Sequence, residues 1–251
     1  MENETHTHEH HEPVHHQEGG KSASKFSTPG AIIAAGLIIA LAIIFTHYAP
    51  TAGTGATNNG QQAAKAVDIK KVKIADNPFI GDKNAPVTIA YWSDYQCPFC
   101  KQFETTALAR LKADYIDAGK VKVVFKDFQF LGEDSTTAAL YSHAVWGLYP
   151  DKYFEWREAM FAKQDDEGDQ GFGDEASIKE VTGTIAGIDV TTVSNEVTKN
   201  KAKYMKIIDA DKEEGASFGV SGTPSLIVDK TLFPGVPSYE KIAQTVDAAL
   251  K

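Results

Sequence analysis

From Ala31 to Phe45 every position is apolar or glycine, and Thr46, His47 and Tyr48 follow as interfacial types. Counted from Pro29 to Tyr48, this run reaches the roughly 17–25 residues of a membrane-spanning helix. Further along, apolar positions come in shorter groups. Pro86 closes the polar turn 81–85, and Val87-Thr88-Ile89-Ala90-Tyr91-Trp92 predicts a strand. Phe103, Ala107, Leu111 and Tyr115 then recur every four positions. That spacing predicts the buried stripe of a helix starting near Phe99 and ending at Gly119. Val121-Lys122-Val123-Val124-Phe125 predicts a second strand. Strand, helix and strand at this spacing form a parallel crossover unit.

Helical patterning continues over about 134–217. Asp134 and Ser135 are placed to cap an Ala-rich run ending at Leu148, and Pro150-Asp151 opens a helix carrying Phe154, Trp156 and Phe161. The acidic, Gly-rich stretch from Asp165 to Asp174 predicts a loop, and further helices start near Glu175 and Thr191. Pro224 then precedes the strand Leu226-Ile227-Val228, with Thr231-Leu232-Phe233 as its hairpin partner. Tyr239, Ile242, Val246 and Leu250 mark a final amphipathic helix. The predicted class is α/β: β-α-β and β-β-α halves of one small mixed sheet, with a helical insertion between them.

Composition divides the chain further. Residues 1–28 form a polar tail holding six of the eight histidines, 49–66 an Ala-, Gly-, Thr-, Asn- and Gln-rich linker, and 67–251 a mixed domain long enough for one core. A cleaved signal peptide is the rival reading of 29–48. A long acidic tail precedes the run, however, and no small-x-small pattern directly follows Phe45, so an uncleaved transmembrane anchor is expected. Lys21 and Lys25 precede the span and no basic residue follows it before Lys65. The positive-inside rule therefore places the N-terminus in the cytoplasm and the domain outside. The net charge is −9, of which the tail carries −3 and the remainder −6. With no basic stripe among the aromatics, this argues against nucleic acid as a partner. His6, His8, His10, His11, His15 and His16 are spaced too loosely to name a metal; a solvated tail is the simpler reading.

Cys97-Pro98-Phe99-Cys100 holds the only two cysteines, at the junction of the first strand and its helix. Two intervening residues let one helical turn bring the sulfurs within bonding distance. Cys97 at the helix start feels the positive end of the dipole, which favours the thiolate, the form that attacks disulfides. The same residues could be half a zinc site or an inert disulfide. Structural zinc usually takes four protein ligands, and there is no second cysteine pair. Redox chemistry is the reading adopted, with no metal and no cofactor.

The sequence resembles the DsbA-like thiol–disulfide oxidoreductases of thioredoxin fold, in the membrane-anchored or secreted forms of Gram-positive and related bacteria. Four stretches carry the likeness: 81–87, Ser93-Asp94-Tyr95-Gln96-Cys97-Pro98-Phe99-Cys100, Val124-Phe125-Lys126-Asp127-Phe128, and Phe218-Gly219-Val220-Ser221-Gly222-Thr223-Pro224-Ser225. It covers about 74–250 and leaves out the tail. It implies Cys97 as an exposed nucleophile, Cys100 as the more buried resolving thiol, and a cis Pro224 facing them. Thr223 and Pro224, with Pro98 and Phe99, would then receive a substrate cysteine, whose strand-like segment pairs with the Thr223 backbone.

This chain departs from the family six residues before Cys97, where a buried acid is common and Tyr91 stands instead. Tyr91, Asp94 and Lys126 are the candidates for a proton relay. Phe99 cannot donate to the sulfur as a histidine would, so Cys97 is expected to be less acidic than in the strongest oxidases. The resemblance implies cysteine-containing exported proteins as substrates. It also implies a redox partner, either a membrane quinone-linked thiol oxidase or a thiol reductase. A reductant-fed reductase and a non-catalytic binding or chaperone module remain as alternatives.

Overall fold

The computed structural model describes residues 67–165 and 172–251. The tail, the anchor and the linker expected at 1–66 lie outside the described residues. Among the described residues no helix is long and apolar enough to cross a membrane.

Five strands form one mixed sheet: β1 (Phe79–Ile80), β2 (Val87–Ser93), β3 (Val121–Asp127), β4 (Ser225–Val228) and β5 (Thr231–Pro234), in the order β1-β3-β2-β4-β5. β2 and β3 pair in parallel, with Tyr91 beside Phe125 and Trp92 beside Lys126; the other pairings are antiparallel. The expected crossover, helical block and closing hairpin are all present. β1 was not foreseen, since two residues beside β3 leave no alternating pattern to read.

Alternation along β2 sends Ile89 and Tyr91 into one core and Ala90 and Trp92 into another on the opposite face. The first core packs against the helix α1 (98–116) and most of the insertion. The second is closed by the N-terminal segment, through Val67 and Val72, and by Phe218.

α1 explains its own four-residue repeat. An α-helix turns every 3.6 residues, so a stripe repeating every four would drift around it. Here the turns at Glu104–Leu108 and Lys112–Ile116 widen to π-type geometry. The wider turns absorb the drift and keep Phe103, Ala107, Leu111 and Tyr115 buried.

The insertion comprises α2 (Glu133–Leu148), α3 (Tyr153–Lys163), α4 (Glu175–Thr184) and α5 (Val190–Phe218). α2 starts before the expected cap. Gly132, at φ 103°, makes the turn, and Glu133 and Asp134 sit inside the first helical turn, where the dipole favours acids. α5 is capped by Asp189, whose carboxylate accepts from the Thr192 N–H at 2.6 Å. It stops at Gly219, where φ of 94° lets the Val220 N–H return to the Gly215 carbonyl. α6 (Tyr239–Ala249) completes the domain, burying Ile242 and Val246.

Candidate active site

Cys97 ends the turn that follows β2 and is the N-cap of α1, with Pro98 as its first residue. Proline has a φ suited to that position, where no N–H is needed. The turn is braced by Asp94. Its carboxylate accepts from the Gln96 N–H at 2.9 Å and from the Phe130 N–H at 3.0 Å, and its carbonyl accepts from the Cys97 N–H at 3.1 Å. Asp94 thus ties the cysteine turn to the segment after β3, and its side chain is occupied by backbone donors.

Both cysteines are free thiols. The expectation of an exposed Cys97 is corrected: it is 3% exposed, against 0% for Cys100. The loop before β4 lies over it, and the Cys97 thiol donates to the Thr223 carbonyl at 3.4 Å. Exposure has passed to the residues between the cysteines, with Phe99 60% exposed. Pro224 follows a cis peptide bond, as the resemblance implied. The structure thus brings together Cys97, Cys100, Pro98, Phe99, Thr223 and Pro224 from segments far apart in sequence.

The two thiols are driven apart in acidity. Hydrogen bonding from the Cys100 side chain does most to hold Cys97 down, at about 6, against the opposing effect of burial. The Thr223 side chain and the N–H groups of Cys100 and Phe99 add to it. No capping bond of regular geometry is closed by the Cys97 side chain, so the helix end acts on it electrostatically. Burial, followed by the neighbouring Cys97, pushes Cys100 well above the usual thiol range. One thiol ionises near neutral pH while the other keeps its proton, as a nucleophile and its resolving partner require.

The three proton-relay candidates separate in space. Tyr91 faces α1, its ring 4.9 Å from that of Phe103 and its hydroxyl acted on by Cys100. Lys126 pairs with Trp92 in the sheet and so projects from the other face. There it binds Asp211 at 2.5 Å and Glu214 at 3.1 Å, and donates to Asn77 at 2.9 Å and the Lys73 carbonyl at 2.7 Å. Its charge serves the junction of β3, α5 and the N-terminal segment, and it is not brought to the thiols.

Sequence reasoning missed one charged pair that is near them. Glu104 of α1 and Arg157 of α3 are both buried and joined at 2.6 and 3.0 Å. Arg157 also donates to the Tyr95 hydroxyl at 3.0 Å and the Ser93 hydroxyl at 2.9 Å, and lies 4.0 Å from the Phe125 ring centre. The signal was there. Arg157 falls on the inward stripe of α3 with Tyr153, Trp156, Met160 and Phe161, where an unpaired charge is not tolerated.

A family model described as thioredoxin matches residues 73–248. Disulfide bond formation protein D of Bacillus subtilis is 28% identical over 194 residues, covering 77% of this chain and 86% of that protein. The solved structure of oxidised BdbD from Bacillus subtilis has a TM-score of 0.67 at 27% identity, covering 74% of this chain and 98% of that one. The thiol-disulfide exchange protein alpha-DsbA2 from Wolbachia pipientis has a TM-score of 0.61 at 29% identity, covering 68% of this chain and 86% of that one.

Proposed function

Since the chain belongs to the thioredoxin family, as a DsbA-like thiol–disulfide oxidoreductase, we propose that it oxidises cysteines of exported proteins through Cys97 and Cys100, from a membrane-anchored position outside the cytoplasm. The observation that carries this reading is the likeness to disulfide bond formation protein D, and the lowered acidity constant of Cys97 supports it. A stabilised thiolate favours the reduced enzyme, and so makes its disulfide the electron acceptor.

A substrate thiolate attacks Cys97 of the disulfide, and the bond to Cys100 breaks. Cys100 leaves and takes up a proton, giving a mixed disulfide on Cys97. A second substrate thiolate attacks the substrate sulfur, and Cys97 departs as a thiolate that neutral water tolerates. Thr223 offers its backbone to the substrate strand, while Pro224 presents no N–H there and Pro98 and Phe99 form the exposed rim. A quinone-linked thiol oxidase in the membrane then removes the two electrons. A reductant-fed partner would instead run the enzyme as a reductase.

The decisive measurement is the equilibrium of the Cys97–Cys100 pair with glutathione, together with oxidation of a reduced test protein. A pair more reducing than thioredoxin, or no transfer to the test protein, would leave the oxidase reading without support. The anchor rests on the run from Pro29 to Tyr48 and on Lys21 and Lys25. Protease added to intact cells should remove 67–251 and spare the His-rich tail; a protected domain would reverse the orientation.

A further inference from the structure

Thiol exchange between Cys97 and Cys100 does not by itself require a buried ion pair beneath them, yet one is present. The Glu104 N–H donates to the Cys100 carbonyl, so Glu104 lies one turn along α1 on the Cys100 side. Its carboxylate is held by two N–H groups of Arg157, at 2.6 and 3.0 Å. Taking such a pair out of water is costly, and apolar residues of the same shape often serve stability as well or better.

Beside the pair is Tyr91, fully buried, whose hydroxyl closes no hydrogen bond of regular geometry among the described residues. The Arg157 guanidinium lies 5.4 Å from the Tyr91 ring centre, so Tyr91 packs against the ion pair, and its acidity responds to both Cys100 and Glu104. Cys100, meanwhile, is wholly buried, so its thiol does not meet bulk water directly.

We propose that Glu104 is the terminal proton acceptor for the Cys100 thiol, reached through the Tyr91 hydroxyl, and that Arg157 is the positioning residue that holds the carboxylate in place. The inference rests on Cys97 and Cys100 being the exchanging pair. When the enzyme resolves a mixed disulfide, Cys100 gives its proton to the Tyr91 oxygen as Tyr91 gives its own to Glu104. The Cys100 thiolate bonds to the Cys97 sulfur. The bond from Cys97 to the partner's sulfur breaks, and that sulfur leaves as a thiolate with the electron pair. The partner's disulfide is reduced by two electrons and the dithiol is oxidised. In the opposite direction the proton returns from Glu104 to Cys100.

The groups facing this position are Cys100 on α1, Tyr91 on β2, Tyr95 in the turn after it, and Tyr153, Arg157 and Glu158 on α3. Burial raises the Glu104 carboxyl above its ordinary range against the pull of Arg157, which makes it the stronger base. Burial and the two neighbouring acids keep the Tyr91 hydroxyl neutral, so it relays a proton without becoming a stable tyrosinate.

The test is a stopped-flow reaction of the reduced protein with 5,5′-dithiobis(2-nitrobenzoate), which releases coloured thiolate twice. The first release reports attack by Cys97 and the second reports resolution by Cys100. In Y91F and E104Q the first release and its pH midpoint should be unchanged, while the second slows by about 100-fold at neutral pH. That deficit should shrink as pH rises and hydroxide takes over. Y91F removes only a hydroxyl that lacks a regular bond, so it keeps the fold and decides the matter if E104Q does not fold. An unchanged second phase and pH profile in Y91F would overturn the inference. Absence of the first phase in the unmodified protein would instead overturn the assignment of Cys97 and Cys100.

Discussion

Gly215 of α5 lies so close to Trp92 of β2 that a Cβ there would sit 2.7 Å from the indole nitrogen and 2.9 Å from Cδ1. The indole N–H donates to the Asp211 carbonyl one turn earlier at 2.9 Å. A buried indole pinned by that bond cannot step aside. G215A should therefore cost about 1–3 kcal/mol through overpacking, although alanine is ordinarily the better helix former. Denaturant unfolding will check this; a stabilised variant would mean that α5 is free to shift.

Ultraviolet titration of the reduced protein should find the Cys97 thiolate with a midpoint of about 6. A folded-state acidity depressed below that of the unfolded chain stabilises the reduced form above the unfolded thiol's pKa. That contribution is lost as pH falls through about 6. Reduced protein should thus gain on the disulfide form as pH rises from 5 to 9 (about 6 and about 8.5 being the two thiol pKa values involved). T223V removes one contributor and should move the Cys97 midpoint upward.

C97S should abolish transfer to a reduced test protein. C100S should keep the attacking thiol and accumulate mixed disulfides through Cys97, seen as adducts on a non-reducing gel. Alkylation that labelled Cys100 before Cys97 would reverse the roles.

Lys126 is bound by two acids on the sheet face away from the thiols. K126M leaves the buried Asp211 and the partly buried Glu214 side by side without their cation, keeping only hydrogen bonds from Asn77 and the Asp127 and Lys73 N–H groups, and should cost about 3 kcal/mol. In protein that remains folded, both phases of thiolate release should keep their rates. A slowed Cys100 phase at unchanged stability would restore Lys126 as a proton relay.

The β-α-β and β-β-α halves, the insertion and the cysteine turn were legible in the sequence, because each rests on local signals: apolar runs, turn residues and a short motif. The cis Pro224 was implied only by the family resemblance, and the edge strand β1 was not read. The faces of the sheet were harder to read. Tyr91 and Trp92 are adjacent, and which of them looks at the thiols depends on the β2–β3 register, which also sends Lys126 away. Glu104 carries no local sign of burial, because its partner Arg157 stands 53 positions later on another helix. The burial of Cys97 likewise arises from a loop 126 positions away.

The ends of the sheet bear on how such a protein survives its proposed clients, which are unfolded chains rich in unpaired backbone. β1 is two residues long and β5 closes on Pro234, which has no N–H to offer. Neither border can template a growing stack of client strands. The Thr223 carbonyl is already engaged by the Cys97 thiol, and it is next to that sulfur that a client segment can lie down. On the proposed function, short borders would confine backbone pairing with a client to the neighbourhood of the thiols.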